Sequence, residues 1–162
     1  RRAGVNLAIG TDGCASNNDL DMFGEMRSAA LVGKMIANDA TALDAATILR
    51  AATLGSARAL GWDESIGSIE LGKQADLAAV RLDAIETQPI YNVISQLIYA
   101  ASRHQVSDVW IAGKQKLRDR KLADIDTVEV LSKARRWRGS RLERDEALQA
   151  QVLGCLKRTH PA

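Results

Sequence analysis

A short apolar run near the start of the chain leads directly into a small polar loop. Residues 5–9 are mostly apolar, and residues 10–18 are small or polar and contain one carboxylate, that of Asp12. An apolar run this short, bounded by turn residues, predicts a buried strand. A carboxylate at the carboxyl end of such a strand lies where α/β barrels build their active sites, although Asp-Gly is also an ordinary turn pair. Asp12 is therefore the first candidate for a catalytic residue.

Helical periodicity follows the polar loop. Apolar residues recur at steps of three, four and seven, at Phe23, Met26, Ala30 and Ala37. This stripe predicts an amphipathic helix, capped by Asn18 or Asp19. A second, alanine-rich period runs over residues 45–60 behind T-A-L-D at residues 41–44, which resembles a capping box, and Gly61 supplies its stop.

The pattern changes from Gly67 onwards. Residues 67–80 predict two short strands around a glycine turn, and residues 106–112 and 115–117 predict a hairpin that turns at Gly113-Lys114. Residues 92–101 fit either a helix or a strand. From Asp126 the apolar positions predict a long, charged, surface-packed helix, or a helix pair broken near Gly139-Ser140.

Composition indicates an ordinary globular domain or a piece of a larger one. The chain has 162 residues, of which 46% are hydrophobic and 26% charged, with a net charge of +2. Such a small charge gives no reason to expect a nucleic-acid or membrane partner. The two cysteines, Cys14 and Cys155, form no C-x-x-C pair, so a reducing cytoplasm fits. Because the chain starts without methionine and enters a predicted strand at once, we expect a segment of a longer protein.

Candidate chemistry outside the polar loop is scarce. His104 and His160 form no H-x-H or H-E-x-x-H spacing that would indicate a metal site. The signatures of serine hydrolases, phosphate loops and dinucleotide folds are also missing from the sequence. Cys14 has no nearby histidine to activate it, and we expect it to line a pocket. Glu25, Arg27 and Lys34 are expected on a solvated or salt-bridged helix face.

Two blocks of the sequence resemble a known family. The stretch G-T-D-G-C-A-S-N-N-D-L-D-M at residues 10–22, followed by E-M-R, resembles the last barrel strand of the amidohydrolase superfamily. It is most similar to the 5-methylthioadenosine/S-adenosylhomocysteine deaminases and the related chlorohydrolase-type enzymes. A-A-T-L-G-S-A-R-A-L-G at residues 51–61 and G-K-Q-A-D-L at residues 72–77 resemble the passage from barrel to β-sandwich in that family. V-W-I-A-G-K at residues 109–114 resembles the closing strands of the sandwich.

The resemblance implies an α/β fold: the C-terminal portion of a metal-dependent (β/α)8 TIM barrel with a small β-sandwich and a C-terminal helix. Residues 1–62 would be the last barrel strand and its helices, 63–122 part of the sandwich, and 123–162 the C-terminal helical segment. Asp12 would bind the catalytic metal, expected to be zinc, and move protons during hydrolysis. Ser16 and Asn17 are loop candidates for substrate binding. The family's histidine ligands and glutamate acid/base lie upstream of the matched segment, so we expect this chain alone to be inactive.

The implied activity is the hydrolysis of a C–N bond in a cyclic amidine. The adenine ring of 5-methylthioadenosine or S-adenosylhomocysteine would be deaminated and ammonia released, with a purine nucleoside as the small-molecule partner and a homo-oligomer as the complete enzyme. One alternative keeps the superfamily and changes the ring to guanine, cytosine or a triazine. Another is a non-catalytic remnant or interaction module in which Asp12 is idle.

Overall fold

The computed structural model describes residues 4–159, and it describes side chains as far as residue 149. The chain divides into two compact units, with the boundary between Ala123 and Asp124. The first unit is a mixture of helices and a small antiparallel sheet. The second contains a single described helix.

The first unit contains four α-helices and four strands. The helices are α1 (Met22–Ala37), α2 (Ala45–Arg50), α3 (Ser56–Ala59) and α4 (Val93–Tyr99), and a π-helical segment (Ala51–Gly55) joins α2 to α3. The strands are β1 (Leu77–Val80), β2 (Val106–Ile111), β3 (Lys114–Arg118) and β4 (Lys121–Leu122). Single 3₁₀ turns lie at Ile85–Thr87 and Arg103–Gln105.

Helix α1 begins later than the sequence predicts. Its N-cap is Asp21, whose carboxylate accepts from the Phe23 amide at 3.0 Å, so the predicted caps Asn18 and Asp19 are wrong. Asp21 has the extended backbone typical of an N-cap, which positions its side chain to satisfy an orphan amide of the first turn. The helix ends at Asn38, which adopts the left-handed conformation common at helix C-termini.

The predicted second helix is confirmed, with one feature that its periodicity does not reveal. Asp44 accepts from the Thr47 amide at 2.7 Å and starts α2, and Gly61, at φ +70°, follows the end of α3. Between them the chain widens into the π-helical segment Ala51–Gly55. Such bulges are frequent at functional sites. Here the bulge brings Gly55 and Ser56 against residues 5–9.

Helices α1, α2 and α4 pack around a small core. Met26 and Ala30 of α1, Ile48 of α2 and Ile98 of α4 are buried together. Residues 92–101, which the sequence leaves ambiguous, are therefore mostly helix, and Asn92 caps α4 by accepting from the Ser95 amide. The fully buried Ala30 leaves room for neighbouring side chains to approach α1 closely.

The sheet is antiparallel and runs in the order β1-β2-β3-β4. The predicted hairpin is confirmed, but it turns at Ala112-Gly113, because Ile111 pairs with Lys114. Both turn residues have positive φ, 49° and 74°, as the right-handed twist of a tight hairpin demands. Of the two strands predicted over residues 67–80, only β1 forms, and the residues before it make turns and bends.

Residues 5–9 form no paired strand in the described chain, so this sequence prediction is wrong as it stands. A strand requires a hydrogen-bonded neighbour, and every strand pair among the described residues lies in the antiparallel sheet. The apolar side chains remain accessible, with Val5 65% and Leu7 37% exposed.

The described part of the second unit contains one uninterrupted helix, α5 (Thr127–Thr159). Of the two predicted alternatives, the single long helix is confirmed and the pair broken near Gly139-Ser140 is wrong, since an interior glycine costs only about 1 kcal/mol and the flanking residues are largely helix formers. Its side chains are exposed as far as residue 149. No helix among the described residues has the length and apolar character needed to cross a bilayer.

Gly55 provides a test of how residues 5–9 are held. A Cβ at this position would lie 2.2 Å from the Leu7 carbonyl oxygen and 3.1 Å from that of Arg50, so Gly55→Ala must displace backbone. We expect a loss of about 1 to 3 kcal/mol in the free energy of unfolding, measured by urea denaturation. Gly24→Ala in α1 is the matched control, because its Cβ would meet only ordinary contacts at 3.6 Å. A Gly55→Ala variant as stable as Gly24→Ala would contradict this packing.

Candidate active site

The segment that leads to Asp12 is hydrogen-bonded to the junction of the π-helical segment and α3, at Gly55 and Ser56. The Ser56 hydroxyl accepts from the Ile9 amide at 3.1 Å and lies 3.0 Å from the Ile9 carbonyl oxygen. The Asn6 side-chain amide donates to the Gly55 carbonyl at 2.8 Å. These bonds satisfy part of the backbone of residues 5–9 without a neighbouring strand, and they fix where residue 12 begins to turn.

Asp12 lies at the turn itself, with an exposed carboxylate. Its φ of 58° is in the left-handed region, which aspartate tolerates better than most residues. The carboxylate oxygen Oδ1 accepts from the Gly13 amide at 2.7 Å. The side chain is thereby held at the base of the loop and remains open to solvent.

Asn17 organises the rest of the loop. Its backbone amide, like that of Ser16, donates to the Gly13 carbonyl, at 2.9 and 3.0 Å. Its side-chain amide donates to Glu25 Oε1 at 2.7 Å, and its side-chain oxygen accepts from the Asp19 amide at 3.1 Å. The polar groups of Asn17 are thus used inside the protein. Ser16 and Cys14 are exposed, and Cys14 is a free cysteine.

Glu25, Arg27 and Lys34 do more than line a solvated face of α1. Glu25 binds the loop through Asn17, and Arg27 donates to the Ala101 carbonyl at 2.7 Å beyond the end of α4. Lys34 donates to the Ala42 and Leu43 carbonyls at 2.6 and 3.1 Å, in the connection to α2. The expectation of a merely solvated face is therefore wrong. Periodicity shows which face a residue occupies but not which distant backbone it meets.

A second contact joins the loop to the sheet region. Asp19 and Arg103 form an ion pair across 84 positions of sequence. The backbone around Arg103 is in turn held by Arg120, whose guanidinium donates to the carbonyls of Arg103, His104 and Val106. Neither Arg103 nor Arg120 stands out in the sequence, because nothing local links these two residues to the loop.

The described side chains do not by themselves make a zinc site. No group of three or more His, Cys, Asp or Glu residues among them is arranged to hold a metal ion. Asp12 offers one exposed carboxylate, whereas a catalytic zinc takes three protein ligands and a structural zinc four. His104 is exposed in the 3₁₀ turn Arg103–Gln105, and His160 lies outside the described residues. The residues present thus fit a contributor to a metal site rather than a complete one.

Three carboxyl groups outside the loop have clearly lowered pKa values. A side-chain hydrogen bond is the largest cause in each: Thr41 lowers the pKa of Asp39, Ser68 that of Glu70, and Ser107 that of Asp108. Asp39 and Glu70 bond to neighbours within turns, and Asp108 lies within β2 and also accepts from Gln115 and the Asp119 amide. Their shifts therefore report structural hydrogen bonding and do not indicate another reactive site.

Comparison with known proteins places this arrangement in a family. The model of the amidohydrolase family matches residues 1–116. The chain belongs to the amidohydrolase family. Two curated relatives carry the name 5-methylthioadenosine/S-adenosylhomocysteine deaminase. The one from Teredinibacter turnerae is 47% identical over 83% of this chain and 30% of its own length. The one from Haloarcula marismortui is 45% identical over 88% of this chain and 32% of its own.

Solved structures agree with that assignment. An adenosine deaminase from Xanthomonas campestris with bound zinc is 70% identical and superimposes with a TM-score of 0.83. The match covers 86% of this chain and 32% of the chain of that enzyme. An atrazine chlorohydrolase from Arthrobacter aurescens complexed with zinc is 29% identical, with a TM-score of 0.75 and coverage of 82% and 29%. The chain spans about a third of the length of these relatives.

One prediction follows from the incomplete ligand set. The purified 162-residue chain, dialysed against zinc and then against metal-free buffer, should retain far less than one zinc ion per chain, because one carboxylate cannot hold the metal. Elemental analysis by mass spectrometry measures the content, with Asp12→Ala as the comparison. Stoichiometric zinc that disappears in Asp12→Ala would show that the chain builds a site of its own.

Proposed function

We propose that this segment works within a hydrolytic deaminase that releases ammonia from the adenine ring of 5-methylthioadenosine or S-adenosylhomocysteine. The observation that carries the proposal is the family match over residues 1–116, which includes the loop of Asp12. The names of the curated relatives support the substrate class. Since the chain covers about 30% of those relatives, the activity is proposed for a protein of their full length.

Asp12 is the residue of this segment that we propose for catalysis. Hydrolytic deamination adds water to a ring carbon and expels ammonia, so a proton must pass from the attacking oxygen to the leaving nitrogen. An exposed carboxylate, held at the base of its loop by the Gly13 amide, can accept and return that proton. We also propose Asp12 as this segment's contribution to the metal site, with zinc as the metal, because structural relatives contain zinc.

The exposed apolar side chains of residues 5–9 support a barrel. Parallel strands are normally buried on both faces, whereas Val5 is 65% exposed here. We propose that residues 1–62 supply the last strand and helices of a (β/α)8 barrel, 63–122 part of a β-sandwich and 123–162 the C-terminal helical segment. Asp12 would then lie at the carboxyl end of a barrel strand, where such enzymes place catalytic residues. A cytoplasmic homo-oligomer remains the expectation for the complete enzyme.

The loop leaves Ser16 as the more available substrate contact. It is exposed, whereas the side chain of Asn17 is bound to Glu25 and to the Asp19 amide. A triazine ring is the second candidate substrate, because the atrazine chlorohydrolase aligns with 82% of the chain. In both rings the attacked carbon is bonded to a ring nitrogen and to the leaving group, so one loop could serve either.

A chimera tests the proposal. Residues 1–123 replace the matching segment of the Xanthomonas campestris enzyme, which is 70% identical. Turnover is measured as ammonia release from 5-methylthioadenosine and S-adenosylhomocysteine, and as chloride release from atrazine. We expect turnover of the nucleosides. Asp12→Asn should lower kcat by about 10²- to 10⁴-fold, the usual effect of losing a positioned acid/base group.

Asp83→Asn is the matched control for this loss. Asp83 is exposed and pairs with the exposed Arg81 at 3.4 Å, so its removal should leave kcat unchanged. Asp21 is unsuitable, since it caps α1. An inactive chimera with zinc bound, or an Asp12→Asn variant as active as Asp83→Asn, would return the segment to a non-catalytic module.

A further inference from the structure

We propose that Asn17 and Glu25 form a clamp that fixes the loop presenting Asp12, which makes both of them positioning residues. The proposal rests on the function proposed above as far as catalysis is concerned. The clamp is the hydrogen bond from the Asn17 side-chain amide to Glu25 Oε1, at 2.7 Å and partly buried.

The clamp joins the exposed loop of residues 12–16 to helix α1, which is packed in the core. Glu25 lies in the first turn of α1, directly before the buried core residue Met26. The position of its carboxylate is therefore set by the packing of the core. A loop side chain bound to this carboxylate is therefore fixed in place as well. The exposed residues 12–16 have too little packing of their own to fix the loop.

Asn17 also closes the loop on itself. Its backbone amide donates to the Gly13 carbonyl at 2.9 Å, and its side-chain oxygen accepts from the Asp19 amide at 3.1 Å. A side-chain amide can donate and accept at once, and a carboxylate at this position could only accept. Asparagine at position 17 therefore suits both Glu25, which accepts, and the Asp19 amide, which donates.

Other tethers of the loop are weaker. The ion pair of Asp19 with Arg103 joins side chains that are 60% and 51% exposed, and such surface pairs contribute little. The Asp12 backbone is in the left-handed region, a conformation that persists when the surroundings determine it. The hydrogen bond between Asn17 and Glu25 connects the end of this loop to α1 and its core residues.

The first test measures the loop in the complete 162-residue chain by amide hydrogen exchange. Asn17→Asp removes the donor and sets two carboxylates against each other, so the amides at 16 and 17 should exchange about tenfold faster. The double variant Asn17→Asp with Glu25→Gln reverses donor and acceptor and should restore exchange to within about twofold. Asn18→Asp adds the same charge one residue away and should have no effect.

The second test measures kcat and KM in the chimera. If the clamp positions Asp12, Asn17→Asp should lower kcat by about 10- to 100-fold with little change in KM, and the double variant should recover most of it. A merely structural contact would change the melting temperature and the yield of folded protein and leave kcat per folded enzyme intact. The reversal of donor and acceptor separates these two roles.

The two tests give separable outcomes. If the unmodified chimera is inactive, the proposed function fails, and the exchange data still decide whether the clamp holds the loop. If the chimera is active and Asn17→Asp keeps its kcat, the positioning role is overturned and the proposed function stands. Unchanged exchange in Asn17→Asp, or a double variant no better than the single one, overturns the clamp itself.

Discussion

Ser56, the first residue of α3 after the π-helical segment Ala51–Gly55, binds the backbone of Ile9, and the candidate site depends on this contact. Residues 5–9 have no partner among the described strands, so this contact and the bond from Asn6 to the Gly55 carbonyl hold the segment instead. Gly55 makes the contact possible, because any side chain there would strike the Leu7 carbonyl. The Ser56 hydroxyl supplies the hydrogen bonds to Ile9. The absence of a side chain at Gly55 lets its backbone approach that of Leu7. The position of Asp12 follows from where this segment ends.

The core carries this constraint to the loop. Ile9 packs against the cluster that contains Met26 and Ile48, so the segment and helices α1 and α2 are fixed relative to one another. Glu25, next to Met26, then meets Asn17 from the helix side. The loop is consequently held at its start by the packed segment and near its end by α1. An exposed carboxylate between two such anchors can be both accessible and well placed, which is the combination that acid/base catalysis requires.

The local sequence patterns predicted which helices and strands form more accurately than where they end or which distant residues they contact. The stripe through Met26 and Ala30 and the hairpin at residues 106–117 are strong periodic signals, and both elements form. The cap of α1 was mispredicted, because several polar residues could cap it. For α5 the sequence left a single helix and a broken pair open, and the single helix forms because one glycine seldom ends a helix. Asp12 is visible in the sequence because the apolar run points to it. The Arg103 contact is not, because it joins residues 84 positions apart that only the fold brings together.

The central claim is that residues 5–9 are held by Gly55 and Ser56, at the junction of the π-helical segment and α3, and thereby place Asp12. The exchange rate of the Ile9 amide, followed by nuclear magnetic resonance in the unmodified chain and in Ser56→Ala, tests it directly. The account predicts a protected Ile9 amide that becomes about 2- to 10-fold faster to exchange in Ser56→Ala, the effect of losing one hydrogen bond, while amides in the middle of α1 stay unchanged. An Ile9 amide that exchanges freely in the unmodified chain, or that keeps its protection without the Ser56 hydroxyl, would contradict the account.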